Sequence, residues 1–319
     1  RISSEEGAGA NHQNLAGTDS RFEDPHRFIY YDYPSGGSGA RKTKDGPDFV
    51  RTLRSGNVNI QSLEVVENLF PVLFHRHELR QDSGGPGEFR GGMGAVREYE
   101  TPSDGGLSIL SDHSRIPPAG ISGGHWGAHG KWEIFRQDQS EPLEPPLGAK
   151  ITGMDIQKGD TVRISTAGGG GYGEALDRDP MLVLDDVSND KVSLESARDV
   201  YGVVIDATDM TVDNSATANR RDELRKQRIY LAALKGNDPQ IEYGMRTARL
   251  NPSMAEFGVE DGDMAEAFSE HHPPAIRMKV TFNDEVPEGS IEIDQEAWTF
   301  LELKEGEQLL WRLLPRFGN

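Results

Sequence analysis

Cysteine is absent from all 319 residues, which excludes disulfides, thiolate metal sites and cysteine nucleophiles; any metal would have to rest on histidine and carboxylate side chains. Apolar residues are scarce at 35%, and no run of them approaches the length of a membrane-spanning helix. The opening residues Arg1-Ile2-Ser3-Ser4-Glu5-Glu6 lack the apolar core of a signal peptide, so a cytoplasmic protein is expected. Positive charge is also short, with 34 lysines and arginines against 53 aspartates and glutamates and a formal charge of -19. That balance repels phosphate backbones and anionic lipids, so neither nucleic acid nor a membrane is an expected partner. A methionine start is missing too. The polar stretch at Arg1 leads directly into patterned chain, which reads as a portion lost upstream through processing, nicking or an imposed boundary.

What is abundant is glycine, with 37 residues, beside 18 prolines. Such a content points to extended or irregular backbone and away from a helix-dominated fold. The glycines cluster in four blocks: Ser35 to Gly39, Asp82 to Ala95, Gly120 to Gly127 and Ala167 to Gly173. Each block lies beside aromatic or β-type residues, and the second is punctuated by Phe89, Arg90 and Met93. A low-complexity linker has no use for that punctuation, so the blocks read as architecture in which backbones approach closely.

Around them the pattern is mainly β. Phe28 to Tyr33 reads as a strand, as do Leu107 to Leu110, Lys131 to Phe135 and the alternating Thr161 to Thr166. Leu63, Val66 and Phe70 fit a helical face closed by Pro71. Two short helices follow, one capped by Asp179 with Pro180 at its first position, the other starting at Ser193 and stopping at Gly202. Arg220 to Leu234 reads as a charged helix and residues 237–274 as loop-rich, whereas Met278, Val280 and Phe282, then Ile291 and Ile293, alternate as strands. The expected fold is thus mainly β with irregular glycine-rich segments and a few short helices, in three parts: a core over 1–206, a helix and long irregular linker over 207–274, and a small β-rich appendage over 275–319.

Chemistry-bearing residues are dispersed. The tetraglycine Gly168 to Gly171 follows a strand as phosphate loops do, but no Lys-Ser/Thr ending accompanies it and Glu174 follows closely; tight backbone packing is the better reading. His75 and His77 would share one face of a strand and could hold zinc with a third ligand, yet Arg76 and Arg80 oppose a cation. No metal is assigned to this chain. His125 and His129 flank Trp126 and a glycine-rich loop, where either a backbone-bonded histidine or a pocket-lining one is at home. Asp112-His113, just past a strand, is an acid and base pair without a Gly-x-Ser-x-Gly elbow, which argues against a serine hydrolase. His271-His272 before two prolines reads as an exposed turn. Asp112, His113, His125 and His129 are the catalytic candidates.

Ser62 to Glu67 with Phe70-Pro71-Val72, then Leu79 to Gly87 and Phe89 to Gly94, resemble the hydantoinase B family. That family includes part of 5-oxoprolinase and subunits of acetone and acetophenone carboxylases. Tyr33 to Asp45, Pro117 to Gly124, Ala167 to Gly173 and Asp179 to Val204 match as well, in order, over residues 9–206. The motif positions are Ser83, Gly84, Gly85, Pro86, Gly87, Arg90, Gly91 and Gly92, with Gly168, Gly169, Gly170 and Gly171. The resemblance implies barrel-like β-sheets joined to a bundle of polyproline-II-like segments, whose backbones lack internal hydrogen bonds and must pair with one another. It implies a hetero-oligomer with a hydantoinase A-type, ATP-binding subunit of the actin-like kind. The implied reaction is activation of a carbonyl by phosphorylation, followed by hydrolysis of a cyclic amide or, alternatively, carboxylation of a ketone; a scaffolding subunit is the third reading. In the family the metal-binding His and Asp residues lie upstream of the segment where Arg1 begins. No ligand carries over, so this chain is expected to hold no cofactor, ATP and a divalent metal belong to the complex, and a chain carrying the missing N-terminal half is an expected partner.

Overall fold

The computed structural model describes residues 11–50, 60–145, 147–236, 241–242, 245–269 and 272–314. The chain divides into two units, one of Arg1–Gly120 with Gly124–Asn214, the other of Ile121–Gly123 with Ser215–Asn319. The strands of the first are β1 (Asn11–Asp19), β2 (His26–Asp32), β3 (Leu73–Leu79), β4 (Ala95–Glu100), β5 (Gly105–Ser111), β6 (Lys131–Phe135), β7 (Lys150–Ile156) and β8 (Thr161–Ser165), with helix α1 (Leu63–Leu69) ahead of β3. They form two antiparallel four-stranded sheets, in the orders β2-β1-β5-β7 and β3-β4-β8-β6. Alternation sends Leu15, Tyr30 and Leu107 from one sheet and Tyr99, Trp132 and Ile164 from the other into one shared core. The rings of Tyr30 and Tyr99 meet edge to face at 6.3 Å.

Loops between these strands carry the glycine blocks, and the blocks pack as extended segments around the tetraglycine. A Cβ on Gly168, Gly169, Gly170 or Gly171 would lie 1.7, 2.0, 2.0 or 2.1 Å from the carbonyl oxygen of Ser83, Ser38, Ala119 or Pro86 respectively. The four glycines therefore face three neighbouring segments, Gly168 and Gly171 both meeting the block that starts at Asp82. Hydrogen bonds lace the same segments together: Gly85 N–H donates to Gly169 O and Gly169 N–H to Gly92 O, both at 2.8 Å, and Ala40 N–H donates to Gly170 O at 2.9 Å. Extended chains without internal hydrogen bonds satisfy their polar groups only by such lateral pairing, which brings backbones closer than any side chain allows. Three tetraglycine amides are engaged in it, Gly168 with Ala128 O, Gly169 with Gly92 O and Gly171 with His125 O. They are turned to carbonyls of the bundle, as close packing predicts and an anion nest does not.

Helices α2 (Pro180–Ser188) and α3 (Leu194–Asp199) begin as the sequence indicates, with the Asp179 side chain accepting from Met181 N–H and Ser193 from Ser196 N–H. They bury Val183, Val187 and Ala197 in a satellite core with Tyr201, which follows α3. A two-residue hairpin, β9 (Ile205–Asp206) with β10 (Thr211–Val212), leads to helix α4 (Asn214–Lys226).

The second unit differs from the expectation. The predicted helix over 220–234 ends at Lys226, and Ile229–Lys235 is strand β11. Leu231 and Ala233 are its buried residues, a period of two that the charged flank conceals. The region expected to be loop-rich, 237–274, holds β12 (Ile241–Glu242), β13 (Met245–Leu250), β14 (Met264–Ser269) and the start of β15 (His272–Phe282). With β16 (Ser290–Ile293), helix α5 (Gln295–Phe300) and β17 (Gln308–Leu313), these make a barrel in the order β13-β15-β14-β17-β11-β16. Pairing of β13 with β16 closes it. Residues 275–314 are thus half of a barrel whose other strands come from the stretch read as linker. Two of its pairings, β13 with β15 and β11 with β16, are parallel, and parallel partners come from distant stretches of chain, where local pattern carries no signal.

Candidate functional site

In the first unit, β2 runs into the first glycine block, β5 leads to the third, β8 runs into the fourth, and the second joins β3 to β4. All four blocks leave from the same end of the paired sheets. At that end the inward-facing positions change from apolar to polar: Asn11 and Gln13 beyond Leu15, Asp32 beyond Tyr30, Ser111 beyond Ile109 and Arg97 beyond Tyr99. Each of the five is at most 5% exposed.

These groups satisfy one another. Arg97 Nη1 donates to Asp32, Gln13 Nε2 donates to the same carboxylate at 3.1 Å, and Tyr33 N–H donates to its other oxygen at 2.8 Å. Tyr99 donates its hydroxyl hydrogen to Gln13 Oε1 at 2.7 Å, while the Ser111 hydroxyl donates to Asn11. Burial, aided by the Asp32 carboxylate, pushes the phenols of Tyr30 and Tyr99 well above their usual range, so both stay protonated. Arg97 Nε reaches the Nδ1 of His77 at 3.4 Å. Partial burial and the Arg97 charge hold the His77 imidazole below its ordinary value. Its Nδ1 faces a donor, which puts the proton on Nε2. His77 is therefore a neutral hydrogen-bond donor towards solvent, and Arg97 Nη2 has no hydrogen-bond partner among the described residues.

A second ionic cluster ties the bundle to α2. Arg178 grips Asp45 through two bonds of 2.7 Å and reaches Asp186 at 2.7 Å. Arg90 contacts Asp186 at 3.3 Å and Asp48 at 3.1 Å, and Lys191 reaches Asp48 at 2.9 Å. Burial opposes the charge on Arg178, and the Asp45 and Asp186 carboxylates more than outweigh it, raising its pKa. The motif arginine Arg90 is raised in the same way, against burial, by Asp186 and Asp48. Every cation here has its carboxylate, so the cluster acts as a clamp.

The sequence candidates fall elsewhere. Asp112 is exposed and pairs with Lys150 at 3.4 Å; His113, at a φ of 53°, donates from Nδ1 to Ile116 O at 2.8 Å, closing a local turn. His125 is held in the bundle through its backbone, its N–H bonded to Pro86 O and its carbonyl to Gly171 N–H. His129 is exposed, and partial burial with the Arg80 and Lys131 cations lowers its pKa. His75 and His77 do not act as a pair. A bulge between Phe74 and Arg76 breaks the alternation, so His75 turns to Glu100 at 3.3 Å while His77 turns to Arg97. His271 lies outside the described residues, and His272 opens β15. Among the described residues no three His, Asp or Glu side chains form a set that could hold a metal ion.

The sequence model of hydantoinase B/oxoprolinase proteins matches residues 1–175. The chain belongs to this family. A putative D-/L-hydantoinase of Pseudomonas sp. strain NS671 has a B-type subunit that is 34% identical over 199 residues, covering 62% of this chain and 32% of that protein. The crystal structure of an ATP-dependent caprolactamase from Pseudomonas jessenii aligns with 70% of this chain and 38% of its own at 31% identity, with a TM-score of 0.59. Nucleotide-free acetone carboxylase aligns with 70% of this chain and 34% of its own, also at a TM-score of 0.59; at 22% identity it shows the shared fold. The chain thus spans about a third of the length of the hydantoinase B relatives it matches.

Within this hydantoinase B segment, sequence reasoning located the glycine framework and Arg90 and missed Gln13, Asp32, Arg97 and Tyr99. The one signal, for Gln13, was negative: Asn11–Asp19 is too polar to read as a strand, because, of its buried positions Asn11, Gln13, Leu15 and Asp19, only Leu15 is apolar. Asp112→Asn and His113→Ala are expected to leave turnover of the assembled complex within about twofold and stability within about 0.5–1 kcal/mol, since surface contacts of this kind contribute little. A loss of activity above tenfold at unchanged melting temperature would assign the pair a catalytic role.

Proposed function

We propose that this chain is a hydantoinase B-type subunit, or a portion of one, of a complex that opens a cyclic amide with ATP. The carrying observation is the likeness to the caprolactamase in both sequence and fold, where the carboxylase likeness is one of fold. The balance follows from the bonds. The amide oxygen takes the γ-phosphoryl group and ADP leaves; water adds to the ring carbon and the C–N bond breaks; a second water cleaves the acyl phosphate to carboxylate and phosphate. A partner subunit of the hydantoinase A type supplies the ATP site in this reading. This chain supplies a stiff floor, the bundle, and a donor at its polar end. His77 Nε2–H, held in place by the buried Arg97 behind it, suits an oxygen on which negative charge accumulates.

Purification of the complex from its source, with intact masses of all chains by native mass spectrometry, tests the assembly. Phosphate release is then followed with hydantoin and caprolactam, and separately with acetone plus bicarbonate. The expected result is an ATP-binding companion and one phosphate per ring opened. Turnover with acetone and bicarbonate alone would replace the hydrolase by a carboxylase. A chain purified without companions and without turnover would leave only a scaffold.

A further inference from the structure

The outer face of the sheet β2-β1-β5-β7 carries a trough that the fold itself does not explain. Its floor is made of small residues in register across two strands, Asn14 opposite Ser108 and Ala16 opposite Gly106. Its wall is Tyr31, opposite Asn14, and Ile29, opposite Ala16. Leu110 and His12 stand at its head. At that head, a concavity bounded by His12, Asn14, Tyr31 and Leu110, with Ile151 and Thr152 on its far side, measures about 400 Å³; the floor continues from it to Ala16 and Gly106. Ile29, Tyr31 and Leu110 are 67, 50 and 52% exposed, three large apolar side chains on a face turned away from the core. Antiparallel sheets ordinarily present polar residues there.

Gly106 is the decisive position. Its φ lies outside the left-handed region, and a Cβ on it would meet no atom within 4 Å. The bundle glycines are required by backbones of this chain; Gly106 is required by none, and a glycine in a strand weakens it unless something approaches closely. The wall is held ready, because the Tyr31 hydroxyl bonds His12 Nδ1 and the His12 ring stacks on Tyr33 at 4.6 Å. The hydantoinase B relatives have about two-thirds of their length beyond the part this chain matches, enough polypeptide to cover such a face.

We propose that the trough seats an extended apolar segment from the remaining portion of a hydantoinase B-type polypeptide, with a side chain lying over Gly106, across Ala16 from Ile29. The proposal rests on the subunit reading above and places the contact on this chain. It is tested with the full chain and the companion polypeptide that co-purifies with it. Gly106→Leu places bulk on the trough floor at a position where the added Cβ meets no atom of this chain, and Tyr31→Ala removes the wall. Both variants are expected to melt with the wild type and to bind the companion about tenfold or more weakly, the usual scale for a central interface residue. Wild-type affinity in both variants overturns the proposal and leaves the subunit reading intact. So does a self-associated chain in analytical ultracentrifugation whose dimer these variants dissolve while the companion still binds. A wild-type chain that binds no companion overturns the subunit reading, and the trough's occupant with it.

Discussion

Gly168→Ala is expected to destabilise the first unit by about 3 kcal/mol or more, lowering its melting temperature by roughly 6–12 °C. Two effects compete. Alanine restricts the unfolded chain and would stabilise by up to about 1 kcal/mol where the native geometry tolerates it. Here the new methyl carbon would lie 1.7 Å from Ser83 O and 2.8 Å from Gly84 N, and both are backbone, so no rotamer can yield. Relief requires moving the Ser83 segment, whose Ser83 O accepts Ala128 N–H and whose Gly85 N–H donates to Gly169 O. Overpacking therefore wins by a wide margin. Gly91→Ala, 1.9 Å from Gly169 O, should behave alike, and Gly106→Ala should stay within about 0.5 kcal/mol in the free chain. Melting curves of the three variants decide it; equal transitions would remove close packing as the reason for the glycines.

Arg97→Leu is expected to cost about 3–5 kcal/mol, because it leaves the Asp32 carboxylate, 5% exposed, without its cation. Gln13 and the Tyr33 amide still donate to Asp32, which keeps the loss from being larger. The double variant Arg97→Leu with Asp32→Leu should recover a large part of it, since an apolar pair in that space avoids the desolvation of both charges. Urea midpoints of the single and double variants measure the coupling. A double variant no more stable than Arg97→Leu alone would mean that Asp32 is not the source.

The glycine framework was legible because close packing of extended backbones leaves a compositional trace that survives without any knowledge of neighbours. Asp179-Pro180 and Ser193 were legible for the related reason that a helix cap is a contact between residues two or three apart. The polar end of the paired sheets was hidden. Gln13, Asp32, Arg97 and Tyr99 come from three strands up to 86 positions apart, and each alone reads as an ordinary polar or aromatic residue. Histidines drew attention in their place, and the bulge at Phe74 to Arg76 then parted the most promising pair.

The amino-acid sequence by itself determined the β character, the four-block framework and the family, all of which depend on short-range pattern and on residue types that packing cannot exchange. Tertiary structure alone decided the closed barrel over Ile229–Leu313, where parallel pairs join β11 to β16 and β13 to β15 across intervening chain. It also decided which polar residues are buried together and which glycine faces open space. Those facts are distances between segments far apart in the chain, and they exist only once burial of the apolar faces has set the strands in register.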